Sequence, residues 1–137
     1  MKSTIILLAI LCFSACSEPN ATKILGSWQI DSIYDYHNGF TFTNRSPHPR
    51  EVYEYKTDNT VLRKGMGEQL EYHYTCHDSI LKLSSSKGAE LGEVTIVHLD
   101  DKTLALKENK KPLFPGKNEM RYEIRYFSRL DSAVSGR

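Results

Sequence analysis

From Gly26 onward the sequence predicts an all-β fold, an eight-stranded up-and-down antiparallel β-barrel with little or no helix. Three observations carry this expectation. Turn signals recur every eight to twelve residues, between short stretches rich in β-branched and aromatic side chains. The cleanest stretch, Leu70 to Cys76, alternates Leu70, Tyr72, Tyr74 and Cys76 with Glu71, His73 and Thr75, as a sheet wet on one face requires. No segment repeats its apolar residues at helical spacing.

The elements follow in order. Trp28, Ile30, Ser32 and Tyr34 give the first strand an inner face. Asn38-Gly39, between Tyr36-His37 and Phe40-Thr41-Phe42, reads as a hairpin tip, because a type I′ turn needs positive φ at both central residues. Asn44 to Arg50, with Pro47 and Pro49, is a loop, and Glu51 to Lys56 is a strand with Tyr53 and Tyr55 on one face. Thr57-Asp58-Asn59 turns into Thr60 to Lys64, which Gly65-Met66-Gly67 ends. Beyond Cys76, His77-Asp78 turns into a strand with Leu81 and Leu83 inside, and Ser84 to Leu91 reads as a loop. Gly92 to Leu99 and the strand bearing Leu104 and Leu106 meet at Asp100-Asp101. After a Lys- and Pro-rich excursion, Asn109 to Asn118, the last strand alternates Tyr122, Ile124 and Tyr126 with Arg121, Glu123 and Arg125. Hairpin-connected strands in sequential order can close on themselves.

The first fifteen residues differ in kind. Eleven are apolar and Lys2 is the only charged one, so Met1 to Ala15 reads as a leader with an apolar core at Ile5 to Phe13, too short to span a bilayer. Phe13-Ser14-Ala15-Cys16 resembles the lipobox of bacterial lipoproteins, which implies cleavage before Cys16 and acylation of that cysteine as a membrane anchor. Ser17 after the cysteine is similar to outer-membrane routing signals, with the face of the membrane left open. The domain reading is thus a leader at 1–15, a lipidated tether at 16–23, a barrel at 24–130 and a tail at 131–137. From Cys16 onward, 17 basic side chains balance 17 acidic ones, so no long-range field draws in nucleic acid or anionic lipid. Of three cysteines only Cys76 lies in the barrel segment, which excludes a disulfide framework there.

Ile24-Leu25-Gly26-Ser27-Trp28 resembles the Leu-x-Gly-x-Trp opening of lipocalin-like domains. Tyr53 to Val61 is similar to their aromatic second strand with its Asp-Asn-Thr turn, and Tyr122 to Leu130 to their closing strand. The Thr-Asp-Tyr signature of larger lipocalins is missing. The resemblance is to small bacterial lipocalin-like lipoproteins of the calycin group. It implies that Trp28 plugs the closed end of the barrel and that Arg125 or Arg129 stacks on it from outside.

The chemistry-bearing residues point to binding rather than catalysis. His73 and His77 share a face about 13 Å apart at roughly 3.3 Å per residue, while Cys76 points to the other, so they do not share a metal. No Ser-His-Asp set, phosphate loop or His-Glu-x-x-His pattern is present, so neither a cofactor nor an enzyme is expected. His98 shares parity with Val94 and Ile96 and is expected to face inward. Tyr34, Tyr53, Tyr55, Tyr72, Tyr74, Tyr122 and Tyr126 are also expected inside, with Phe40 and Phe42 at the mouth. Tyr34, Phe40, Phe42, Tyr53, Tyr55, Tyr72, Tyr74 and His98 are therefore the candidates for binding a small apolar or amphipathic ligand. Such a barrel holds a ligand or is filled by its own side chains. In the second case the hairpin from Tyr34 to Phe42 and the excursion from Asn109 to Asn118 would contact another envelope protein. Asp31-Ser32-Ile33, Asp78-Ser79-Ile80 and Asp131-Ser132-Ala133 resemble a short O-glycosylation pattern of bacterial secreted proteins.

Overall fold

The computed structural model describes residues 19–45, 47 and 50–130. The leader, Cys16 and the tail with Asp131-Ser132-Ala133 lie outside the described residues. One helical turn, α1 (Asn20–Lys23), occupies the end of the segment read as a tether, and the Asn20 amide donates to the Asp78 carbonyl at 2.9 Å. Nine strands follow: β1 (Gly26–His37), β2 (Phe40–Asn44), β3 (Val52–Tyr55), β4 (Thr60–Gly65), β5 (Glu68–His77), β6 (Ile80–Ser85), β7 (Glu90–Leu99), β8 (Thr103–Asn109) and β9 (Arg121–Arg129).

Eight of them form a closed antiparallel ring. β3 to β9 pair in sequence order, β1 joins β3 through Gly26–Gln29, and β9 returns to β1 along Trp28–His37. The ninth strand, β2, lies on the same edge of β1 as β3, pairing Phe40–Asn44 with His37–Ile33. β2 and β3 thus follow one another along that edge. In the sheet β2 pairs with β1 alone among the described strands. Its turn is the expected one, with Asn38 at φ 45° and Gly39 at φ 92°. β7 begins at Glu90, earlier than the expected loop allowed.

Bulges set the inner face, and they reverse several expectations. The β1–β9 register shifts between Ile30 and Ser32, so Ile33 returns to the core side and Tyr34 turns outward. On β9 the inward series is Phe127, Arg125 and Glu123. Tyr122 and Tyr126 are on the other face: Tyr126 is exposed, and Tyr122 stacks on Tyr36 at 4.7 Å beneath the Lys107 ammonium. A shift between Ile96 and His98 likewise turns His98 out to solvent, where Nε2 meets Asp100 Oδ2 at 2.8 Å. Tyr53, Tyr55, Tyr72 and Tyr74 keep the inward side expected of them.

The core sits toward the end of the barrel from which α1 emerges. Ile24, Trp28, Val61, Leu81 and Leu104 are fully buried there. Trp28 Nε1 donates to Ile24 O at 2.7 Å, and the Arg129 guanidinium lies over the indole, 4.1 Å from its centroid. Arg129 is thus the stacking residue; Arg125, the other candidate, sits inside the barrel. The opposite end carries the Asn38-Gly39 tip, the Met66-Gly67 turn and the loop from Lys110 to Met120, and is the mouth.

Candidate functional site

The space above the core is a cavity of about 200 Å³. Strand alternation aims Tyr53 and Tyr55 from β3, Val61 and Arg63 from β4, Tyr72 from β5 and Leu83 from β6 into it. β7 supplies Leu91 and Val94, β8 Leu106 and Glu108, and β9 Arg125 and Phe127. The wall is aromatic and aliphatic toward the core and charged toward the mouth.

Ring contacts fix the apolar part. Tyr55 meets Tyr74 edge-on at 5.2 Å, and Tyr53 meets Phe127 edge-on at 5.5 Å, the geometry that sets a positive ring edge on a negative ring face. Tyr74 is anchored from below, its hydroxyl donating to Lys56 O at 3.0 Å. Burial holds the Tyr55 phenol well above its usual value. Burial does the same for Tyr53, helped by the Glu51 carboxylate, which accepts the Tyr53 hydroxyl at 2.7 Å. Both phenols therefore stay protonated, Tyr53 donating to Glu51 and Tyr55 serving as an apolar wall, and neither acts as a base.

The charged part is paired. Arg63 Nη2 lies 2.6 Å from Glu51 Oε1, and Arg125 Nε donates to Glu123 Oε1. Lys110 Nζ bridges two carboxylates, 3.1 Å from Glu108 and 3.7 Å from Glu123. Three cations and three carboxylates balance, which makes their burial tolerable. The Arg125 bond runs through Nε, so the two terminal nitrogens of its guanidinium remain for whatever fills the cavity.

Of the candidate ligand contacts, the cavity gathers Tyr53, Tyr55 and Tyr72. Tyr74 lies in the core beneath it, Tyr34 and His98 face outward, and Phe40 and Phe42 stand exposed on β2 beside the mouth. Glu51, Arg63, Glu108 and Glu123 were not among the sequence candidates, and Arg125 was expected, as the alternative to Arg129, to stack on Trp28 from outside rather than to line the cavity, because charged residues in an alternating strand read as solvent-facing. One signal pointed the other way: Phe127 shares parity with Arg125 and Glu123.

His73 and His77 are exposed, and Cys76 is half-buried on the opposite face, where burial pushes its thiol up. Among the described residues no three or more His, Cys, Asp or Glu side chains are grouped to hold a metal ion. No protein-family model matches the chain, and none of the curated proteins matches it.

Proposed function

We propose that the chain is a lipid-anchored envelope lipoprotein whose lipocalin-like barrel binds a small amphipathic molecule without chemistry on it. The observation that carries the binding reading is the cavity: an apolar, aromatic chamber inside a closed ring, with guanidinium donors at its mouth side. It favours this reading over the closed-core interaction module, which needs a filled interior. Calycin kinship is supported by the Trp28–Arg129 stack at the closed end. The anchor reading rests on the Phe13-Ser14-Ala15-Cys16 sequence, and outer-membrane placement on Ser17.

Size and polarity define the ligand class. An apolar cavity of about 150 Å³ takes benzene, so this one takes a single ring or a short acyl chain rather than a whole phospholipid. Its polar end must present acceptors to Arg125, as a carboxylate, carbonyl or hydroxyl does.

Native mass spectrometry of the chain incubated with octanoate and phenylacetate tests the reading. Retention of one ligand per chain, lost on filling the cavity, supports it; no retained mass with either ligand or with a total envelope lipid extract overturns it. The anchor is tested separately by the mass of the Cys16-containing terminus recovered from bacterial membranes, which must carry acyl chains that Cys16→Ser abolishes.

A further inference from the structure

The β1–β2 hairpin and the loop between β8 and β9 are fastened together at one side of the mouth. Asn38 N–H donates to Met120 O at 3.0 Å, and Met120 N–H donates back to Asn38 Oδ1 at 2.8 Å. His37 Nε2 lies 3.5 Å from Glu119 Oε2, which also accepts the Leu113 N–H at 3.0 Å. The two segments therefore behave as one ridge.

The ridge is apolar where it meets water. Phe40 is 81% exposed and Phe114 60%, and Phe42, Leu113 and Met120 are exposed beside them. Its charges lean positive, with Asp35, exposed and in register with Phe42, as the carboxylate of the hairpin. Phe40 to Thr43 carry none, and Lys110 to Met120 carry Lys110, Lys111, Lys117 and Glu119. Glu119 is turned inward, its side chain 7% exposed, whereas Lys111 and Lys117 are exposed without an ion-pair partner among the described residues. Balance over the whole chain conceals a local surplus of positive charge.

Exposed aromatic and aliphatic tips flanked by lysines suit one kind of surface. The tips enter the boundary between headgroups and acyl chains, while lysine stems lie along it with their ammonium groups at phosphate level. We propose that this ridge is a docking surface for a bilayer containing anionic lipid. Charge complementarity favours that occupant over a second copy of the chain. Two ridges face to face would oppose Lys111 and Lys117 of each copy with their own kind and offer a single exposed hairpin carboxylate, Asp35, in return. Lys110 joins the ridge to the cavity wall through Glu108, so docking sets the mouth against a bilayer distinct from the one that an acylated Cys16 would enter, since α1 leaves the barrel at the opposite pole. This surface is separate from the cavity, and its test is independent of ligand binding.

The test uses the chain from residue 16 with Cys16→Ser, which keeps every strand of the closed ring and removes the thiol that an acyl chain would need. It is sedimented with phosphatidylcholine vesicles with and without phosphatidylglycerol. Binding to the anionic vesicles is expected, declining with added salt. It should fall at least about tenfold in Leu113→Ser/Phe114→Ser and in Lys111→Glu/Lys117→Glu, as loss of inserted apolar area or of cations requires. The Phe114→Trp variant should shift its emission to the blue on the same vesicles. Unchanged circular dichroism confirms that each variant is folded. The proposal is overturned by no binding to either vesicle, by equal binding to both, or by unchanged binding in the folded ridge variants. Self-association or a captured protein that needs the same residues, without vesicle binding, overturns it too.

Discussion

Arg129 lies over the indole of Trp28 and donates its guanidinium hydrogens to the carbonyls of Lys23, Leu25 and Asp101, at 2.6, 2.6 and 2.8 Å. One side chain from the last strand thereby fastens the first strand, the helical turn before it and the β7–β8 turn.

Gly26 is the position most sensitive to this clamp. It adopts φ 116°, and a Cβ there would stand 2.7 Å from Arg129 Nη1. Gly26→Ala should cost about 2–3 kcal/mol, from backbone strain and displacement of the guanidinium. Arg129→Ala should cost about 2–4 kcal/mol. Because both changes disable one arrangement, the double variant should cost less than their sum, with a coupling above about 0.5 kcal/mol in urea unfolding.

Filling the cavity and emptying the core should have opposite consequences. Val94→Phe places a ring into existing space, so stability should change by less than about 1.5 kcal/mol while octanoate retention falls at least about tenfold. Leu81→Ala, in the fully buried layer beneath, should cost about 3 kcal/mol or more. Its octanoate retention should stay near wild type at temperatures where the chain remains folded. Calorimetry and native mass spectrometry on the two variants give the comparison.

Asp100 should shape the acid limb of stability. Its carboxylate accepts the Lys102 and Thr103 N–H groups at 2.8 and 2.7 Å and meets His98, and these bonds hold its pKa well below the usual carboxylate value. A depressed folded-state pKa contributes stability above the unfolded value of about 4 and loses it as pH falls toward the folded value. Thermal midpoints measured between pH 6 and 2 (about the carboxylate range) should fall less steeply in Asp100→Asn than in wild type. Parallel curves would show that the acid limb arises elsewhere.

The alkaline limb belongs to the inward tyrosines. Burial raises the phenols of Tyr53, Tyr55 and Tyr74. Their contribution is complete below the unfolded value of about 10 and is lost as pH rises toward the folded values. Phenolate absorbance should therefore rise in two stages, the second coinciding with loss of the near-ultraviolet dichroism. A single smooth titration preceding unfolding would contradict the burial of these rings.

Strand positions were legible because β3, β4 and β5 keep strict alternation: Tyr53 and Tyr55, and Tyr72 and Tyr74, face where simple parity puts them. The hairpin tip was legible because only a few residues adopt positive φ twice in succession. The inner faces of β1 and β7 were not, because a bulge shifts parity and no residue type announces one. Asp31-Ser32 interrupts β1 much as other polar pairs end strands, yet here the strand continues with Ile33 inward. β9 misled for another reason. Alternating tyrosines with charges looks like an apolar inside and a wet outside, but Arg125 and Glu123 neutralise each other and turn in, leaving Tyr122 and Tyr126 outside. A compensated charge pair is a property of two neighbours in space, which a strand pattern does not display.

The two ends of the described chain also meet. Leu130 N–H donates to Ser27 O at 2.8 Å, beside the point where Arg129 holds Lys23. Both ends therefore leave the barrel from its sealed pole. Whatever is joined to either one, whether acyl chain, fused domain or solid support, comes off at the pole opposite the mouth. Attachment at either end sets orientation: a layer of molecules held this way presents its openings outward, as a brush of cups rather than a mat of closed bases.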